Sequence, residues 1–302
     1  MTRVATIPLQ ATLSGAIQRS QQNLAASQLQ LATEKKVNDY AGLGLDAVRT
    51  LSARSMLATQ ESYKTSIGRV STTLSLYQAN LEQIDASLGD LREELFSAVG
   101  TGNSPGLQDI VEDAFADMRN ALNAREGGVP LFAGSQTSAT PFLPKSLNET
   151  VGLEAADAFA NDDVRQSTRA GDGVDVEYGI GASDVGASLI PAFRALAEAG
   201  PFGGTLTDAQ KQAITDALDL LDAGITEVRS VNAKNGRKQA QIETLGERAQ
   251  DRVDLLTGVI GSVEDADLGQ VAIDITQRQT ILQASYSVFA QLNQMSLANY
   301  LK

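Results

Sequence analysis

The chain has 302 residues and a formal net charge of −13, with few aromatic residues and no tryptophan, histidine or cysteine. Without histidine and cysteine, imidazole acid–base catalysis, thiol nucleophiles and the usual zinc sites are excluded. The negative charge disfavours nucleic acids and anionic membranes as partners. No stretch has a signal-peptide core or a membrane-spanning apolar run, so we expect neither nucleic-acid binding nor membrane insertion.

The first predicted helix covers residues 9–34, and it is almost free of charge. Arg19 is the only charged residue between Leu9 and Thr33. Ile17, Leu24 and Leu31 form an apolar heptad on one face. A helix with an apolar face and so little charge is predicted to be buried among other helices.

The second predicted helix runs from about residue 46 to residue 99, after a glycine-containing break at NDYAGLGLD. Its apolar residues step by three and four, which is the pattern of a coiled-coil seam. An antiparallel bundle within one chain would bury this seam. The predicted bundle seam consists of Ile67, Val70, Leu74, Tyr77, Leu81, Ile84, Leu88, Leu91 and Leu95.

The third helix is predicted to fold back on the second and to end near Arg125. Ser104 and Pro105 are expected to be its N-cap and first residue. Beyond it the periodicity changes to two, because Val174, Val176 and Tyr178 alternate with acidic residues. With a partner strand at residues 164–168, this pattern predicts a β-hairpin in the middle of the chain.

Helical periodicity returns after Thr207 and Gln210, which form a capping-box pattern. A second seam follows, with a polar interruption at Asn232, Asn235 and Gly236. We predict that the helix continues through it, because a polar residue in a seam can fix the register of two helices. A last helix, from residue 268 to 300, carries the heptad Ile275, Leu282 and Phe289, and Lys302 is the only charge after Gln279.

These elements predict a mainly α fold, an elongated antiparallel coiled-coil bundle built from the N- and C-terminal parts with a small β-containing insert. We predict a terminal helical pair at residues 1–45 and 265–302. The long bundle takes residues 46–139 and 205–264, and the insert takes residues 140–204.

No motif in the sequence points strongly to catalysis or to the binding of a metal or a cofactor. The acidic residues Asp163, Asp172, Asp175 and Glu177 lack the spacing of a calcium loop, and a solvated turn is expected. GIGASDVG lacks the third glycine of a dinucleotide loop, and TGNSPG lacks the lysine of a phosphate loop. NGRKQ is interpreted as a solvated helix face. The sequence predicts no catalytic residue, cofactor or metal.

Several motifs resemble the flagellin superfamily. They are LATEKKVND at residues 31–39, VPLFAGSQTSATPF at residues 129–142, the segment from residue 161 to 186, and the ending QLNQMSLANYL. LFAG and SLANYL are most similar to the branch that joins hook to filament. YAGLGLDAVRTL departs from the acidic, proline-containing run that is common in the family.

The resemblance implies a structural subunit of the bacterial flagellum at the hook–filament junction. It would be exported unfolded, without a cleaved signal peptide, and would polymerise outside the cell through its terminal helices. The implied partners are like subunits in a ring, a hook-side hook-associated protein, filament flagellin and an export chaperone at the C-terminal helix. The implied assembly interface consists of Leu13, Ile17, Leu24, Leu31, Ile275, Leu282, Phe289, Leu292 and Leu297.

Three alternatives stay open at this point. The first is filament flagellin itself. The second is a soluble coiled-coil adaptor or signalling rod, which would carry charged heptad flanks to its ends. The third is an enzyme borne on the insert, which would need a pocket of convergent polar groups.

Overall fold

The computed structural model describes the backbone of residues 3–298 and the side chains of residues 11–291. This part of the chain is mainly α-helical, as predicted. Its helices are α1 (Arg3–Thr33), α2 (Asp46–Thr101), α3 (Leu107–Leu122), α4 (Ala182–Gly186), α5 (Ile190–Ala199), α6 (Asp208–Glu264) and α7 (Leu268–Ala298). Helix α6 is continuous through the polar interruption of its seam.

Two small antiparallel hairpins lie between α3 and α4. Strands β1 (Arg125–Glu126) and β2 (Val129–Pro130) form the first, which the sequence analysis did not predict. Strands β3 (Gln166–Gly171) and β4 (Val174–Tyr178) form the second. This is the predicted hairpin, although β3 begins two residues later than expected.

The chain divides into two compact units. Unit 1 comprises Met1–Thr59 and Arg252–Lys302, and unit 2 comprises Gln60–Asp251. Helices α2 and α6 contribute residues to both units. The three-part division given above stays a prediction.

The core of unit 2 is built on the seam of α2. All nine seam residues are buried, with at most 6% of their surface exposed. In the same hydrophobic cluster are Val111 and Met118 of α3 and Ile214 and Leu221 of α6. Burying apolar surface stabilises a fold by ~25 cal/mol per Å². Such a continuous core is therefore the main stabilising contribution to this unit.

Polar contacts fix α2 and α6 as antiparallel neighbours. Arg92 of α2 pairs with Asp222 of α6. Asp85, which precedes Arg92 in α2, accepts a hydrogen bond of 2.7 Å from Nε of Arg229, which follows Asp222 in α6. Both helices are amphipathic, so this pairing turns their apolar stripes towards a shared core.

The segment VPLFAGSQTSATPF packs against the bundle. The Tyr77 hydroxyl donates a hydrogen bond of 2.7 Å to the carbonyl oxygen of Leu131. The rings of Tyr77 and Phe132 meet edge to face, with centroids 5.0 Å apart. Burial raises the pKa of the Tyr77 phenol to about 12. Aromatic packing and one buried hydrogen bond therefore attach this segment to α2.

Asp162 holds the next turn of the same segment. It accepts hydrogen bonds from the backbone N–H of Ser135 at 2.9 Å and of Val164 at 3.1 Å. The Ser135 hydroxyl also donates to this carboxylate. Hydrogen bonds from the Ser135 side chain, and then from its backbone, lower the pKa of Asp162 to about 2.

The predicted start of α3 is wrong. The N-cap is Gly106, in the left-handed region at φ 78°, and the helix begins at Leu107. The Ser104 hydroxyl instead donates a hydrogen bond of 2.7 Å to the carbonyl oxygen of Gly203. A partner 99 residues away therefore takes the side chain that the local pattern assigned to the cap.

Candidate assembly surface of the terminal helices

Helices α1 and α7 form an antiparallel pair within unit 1. Arg278 Nη1 of α7 donates a hydrogen bond of 2.7 Å to the carbonyl oxygen of Asn23 in α1. Gln21, earlier in α1, donates to the hydroxyl of Tyr286, later in α7. Because the earlier residue of α1 contacts the later residue of α7, the two helices are antiparallel.

The predicted interface residues are only partly covered by this pairing. Leu31 is 44% exposed. Leu292 and Leu297 lie outside the residues whose side chains the structure describes. The half-buried members are Leu13, Ile17, Leu24, Ile275, Leu282 and Phe289.

A second apolar face of α7 was missed in the sequence analysis. Ile281 and Val288 are one heptad apart and are 49% and 47% exposed. Ile273 and Tyr286 are also open to solvent, at 62% and 45%. The signal was present in the sequence, because Ile281 and Val288 each directly precede a member of the predicted heptad, Leu282 and Phe289. The pair therefore presents apolar surface in addition to the face that it covers.

This exposed surface carries almost no charge. Arg19 is the only charged residue at positions 11–33, and positions 279–298 carry none. The two charges earlier in α7, Asp274 and Arg278, lie one turn apart at 3.8 Å. Covering the surface would desolvate few charged groups, which removes the main electrostatic penalty of forming an interface.

A buried carboxylate lies where α6 ends. Glu264 is 5% exposed. Arg54 of α2 donates to it twice, from Nε at 3.0 Å and from Nη2 at 2.7 Å. The Lys35 ammonium lies 3.5 Å away. The hydrogen bond from Arg54, followed by Coulombic attraction, lowers the pKa of Glu264, so the carboxylate is charged and paired at neutral pH.

The motif LATEKKVND explains how α1 is attached at this point. The backbone N–H of Lys36 donates to the carbonyl oxygen of Glu264 at 2.7 Å, and the N–H of Ala266 donates to that of Glu34 at 2.8 Å. The Lys36 ammonium donates to the carbonyl oxygens of Ser262 and Val263 at 2.8 and 3.1 Å. A cation on the last carbonyls of a helix offsets the negative end of its dipole. Sequence reasoning found this motif but not these partners, which lie more than 200 residues away.

Two of the acidic residues considered for calcium have other partners. Asp172 accepts a hydrogen bond of 2.9 Å from the Tyr63 hydroxyl, and Asp175 pairs with Arg169. In the described part of the chain, no group of three or more acidic residues could hold a metal ion. Across residues 3–298, no helix combines the length and the apolar character that crossing a membrane requires.

Comparisons with known proteins agree with this helical arrangement. A family model for the bacterial flagellin C-terminal helical region matches residues 218–301, which include most of α6 and all of α7. Flagellar hook-associated protein 3 of Escherichia coli (strain K12) is 22% identical over 288 residues, covering 89% of this chain and 90% of that protein. The resemblance to the flagellin superfamily is confirmed.

Solved structures share the fold of this flagellin-like chain. FlgL of Bacillus cereus superposes with a TM-score of 0.57 at 14% identity, covering 70% of this chain and 99% of that one. A structure described as a flagellar hook-associated protein from Vibrio parahaemolyticus gives a TM-score of 0.58 at 14% identity, covering 72% and 97%. Both relatives are matched over nearly their whole length, and this supports the resemblance in fold.

Proposed function

We propose that this chain is a structural, non-catalytic subunit of the bacterial flagellum that forms the junction between hook and filament. The observation that carries the proposal is the similarity to flagellar hook-associated protein 3, which extends over 89% of this chain. A match of this extent includes the middle of the chain. The middle is where the VPLFAGSQTSATPF segment packs against α2.

The terminal helices are the means of assembly in this proposal. Each exposed aliphatic residue on α7 retains about half of its surface for burial, which corresponds to roughly 1 kcal/mol per residue when a neighbour covers it. Several such residues, with almost no charge to desolvate, suit a ring of like subunits. The half-buried heptads around Leu24 and Phe289 would hold the pair together within each subunit.

The proposed partners are like subunits, a hook-side hook-associated protein and filament flagellin. We further propose an extracellular location reached by export in the unfolded state. A chain without cysteine cannot form a disulfide that would obstruct threading through a narrow channel. An export chaperone would recognise the long uncharged C-terminal helix through its apolar side chains.

Filament flagellin is the second candidate. It is favoured by one observation, the match of residues 218–301 to the flagellin C-terminal region. A soluble coiled-coil adaptor fits less well, because its helices would carry charged flanks throughout. The two flagellar functions differ in where the subunits lie.

The deciding experiment is gold labelling of this protein on intact isolated flagella, with a strain lacking the gene as the control. We expect one narrow band where the hook meets the filament. Label along the whole filament would establish the flagellin function instead. An absence of label above the control would overturn both flagellar proposals.

A further inference from the structure

A second exposed apolar surface of unit 1 lies at the start of α2. Leu45 directly precedes the helix and is 99% exposed. Val48 and Met56 are 72% and 58% exposed, and Leu51 between them is 48% exposed. We call these four residues the α2 face. Large apolar side chains that are exposed side by side mark an interaction surface, whereas single ones are common on any protein.

Little charge interrupts the α2 face. Positions 45–59 contain three charged residues. Arg54 is held by Glu264, with 2.7 Å between Nη2 and Oε2. The other two, Asp46 and Arg49, lie in the first turn of α2 and carry opposite charges. Covering the α2 face would therefore desolvate few charges, as for the exposed face of α7.

The α2 face has a form that suits another helix. Small side chains leave grooves in a helix surface, and larger side chains of a second helix fill them. Val48 and Met56 are eight residues apart, as are Ile273 and Ile281 on the exposed face of α7, which is about 12 Å along either helix. Three small exposed residues lie near the apolar side chains by helical spacing: Ser52, Ser55 and Thr59.

The closure of a ring requires two different surfaces on each subunit. If α7 packed against α7 of a second copy, the contact would use the same surface on both copies and would end at a dimer. A ring of more than two like subunits needs a heterologous contact, in which one surface binds a different one on the neighbour. The exposed face of α7 supplies the first surface, and the α2 face is the second uncharged apolar surface of the same unit.

We propose that the exposed face of α7 in one subunit packs against the α2 face of the next copy of this chain. This inference rests on the proposed function and names the surface that receives α7. Unit 1 then supplies both sides of every contact around the ring. The branched side chains of Ile273, Ile281 and Val288 would lie among the apolar and small side chains at the start of α2.

Mixing two differently substituted chains tests this contact. Val48→Asp with Met56→Asp places charge on the α2 face, and Ile281→Asp with Val288→Asp places it on α7. In sedimentation velocity of the purified full chains, at concentrations where wild type assembles, we expect each substituted chain alone to be monomeric. An equimolar mixture should form one-to-one complexes, because one intact α7 face and one intact α2 face remain.

Two further variants control for charge and for folding. Thr257→Asp adds the same charge at an exposed polar position of α6 within unit 1 and should assemble as wild type does. An equal loss of assembly in Thr257→Asp would overturn the assignment. Val48→Gln with Met56→Gln removes apolar surface without adding charge, and it should raise the critical concentration several-fold even if the aspartate chain fails to fold.

Three outcomes would overturn the proposed contact alone. They are normal assembly of the chains substituted at Val48 and Met56, a mixture that stays monomeric, and dimers of the chain that carries Val48→Asp and Met56→Asp, which would show that α7 binds α7. A wild-type chain that stays monomeric at every concentration would instead refute the proposed assembly, and this contact with it.

Discussion

A single carboxylate, Glu264, joins three parts of unit 1. It accepts two hydrogen bonds from Arg54 of α2 and lies near Lys35, which follows α1. Removing the charge of Glu264 would replace the charge-assisted hydrogen bonds from Arg54 by weaker neutral ones. Its contribution to stability must therefore depend on its ionisation.

The pH dependence of stability follows from the lowered pKa of Glu264. A carboxylate with a folded pKa below its usual value of 4.5 stabilises the fold fully above that value. The contribution is lost as pH falls through the lower folded pKa. We expect Glu264→Gln to lower the free energy of unfolding at pH 7 by roughly 1–2 kcal/mol. The loss is no larger because the Arg54 side chain is 48% exposed and water weakens its interaction with Glu264. The difference between the thermal melts of the two proteins should shrink as the pH falls below 4.5, and a difference that does not change with falling pH would contradict the assignment.

Gly134 shows why the turn after LFA cannot take a larger residue. Its φ is +67°, and a Cβ atom would lie 2.2 Å from Asp162 Oδ1 and 2.7 Å from the carbonyl oxygen of Asp162. We expect Gly134→Ala to destabilise unit 2 by about 2–4 kcal/mol, because backbone strain and a clash act together. Urea denaturation measures the change.

Gly127→Ala is the matched control for Gly134. Its φ is +58°, and nothing lies within 4 Å of its added Cβ. It should cost only the strain of a left-handed residue, about 1–2 kcal/mol. Equal losses in the two variants would show that Asp162 yields to the new methyl group.

At the scale of the element, the exposed apolar face of α7 allows the proposed assembly to be tested without disturbing the fold. Ile281→Asp and Val288→Asp place a charge on the open face and leave the half-buried heptad intact. We expect the critical concentration for polymerisation to rise at least tenfold while the helix content is unchanged. Sedimentation and circular dichroism measure the two quantities.

Controls on the same helices complete this prediction. Gln283→Asp introduces the same charge at an exposed polar position on another side of α7 and should assemble normally. Leu24→Asp and Phe289→Asp alter half-buried positions, so they should loosen the α1–α7 pair and also abolish assembly. Normal polymerisation of Ile281→Asp and Val288→Asp would remove the open face from the interface.

The helices were largely predictable because their signals are local. The α2 seam from Ile67 to Leu95 needs only its own spacing, and Thr207 caps α6 through Gln210, three residues away. The continuity of α6 through Asn235 was also predicted. The residue is tolerated in the seam because Leu74 accepts its hydrogen bond.

The structural features that were not predicted from the sequence depend on residues that are distant along the chain. Ser104 reads as a helix cap, but Gly203 takes its hydroxyl. Helix α4 was not predicted, and its start is fixed by Asp184, which accepts a hydrogen bond from the N–H of Gly181 and pairs with Arg165. The ion pairs of Glu264 with Arg54 and Lys35 leave no local pattern in the sequence. Both terminal heptads were recognised in the sequence, and their assignment to the assembly interface stays a prediction. The exposed face of α7 with Ile281 and Val288 was missed, because finding it required knowing which face the α1–α7 pairing covers.

At the scale of the whole molecule, charge is divided unequally along the chain. Residues 60–251, which form unit 2, carry 29 acidic and 15 basic residues. The residues of unit 1 carry 8 acidic and 9 basic residues. Unit 2 therefore has a net charge of −14 and unit 1 a net charge of +1, so the part proposed to assemble is close to neutral.

This division predicts that assembly responds to salt. Subunits brought side by side place strongly acidic units near one another, and the repulsion is screened as the Debye length falls from roughly 20 Å at ~20 mM salt to roughly 7 Å at ~200 mM. We expect the critical concentration to fall several-fold over this range, measured by light scattering. A critical concentration that rises with salt would show that attraction between opposite charges drives assembly instead.

The division of the chain into units also sets an order of folding. Unit 2 is one continuous stretch, so its contacts can form as soon as residue 251 is available. Unit 1 combines the two ends, and α1 cannot meet α7 until the last segment has been made. Contacts between such distant residues form slowly, because a long loop must close first. Synthesis therefore leaves α1 without its partner until α7 has been made, and in the proposed export route this interval is when the chain can be captured before α1 and α7 pair.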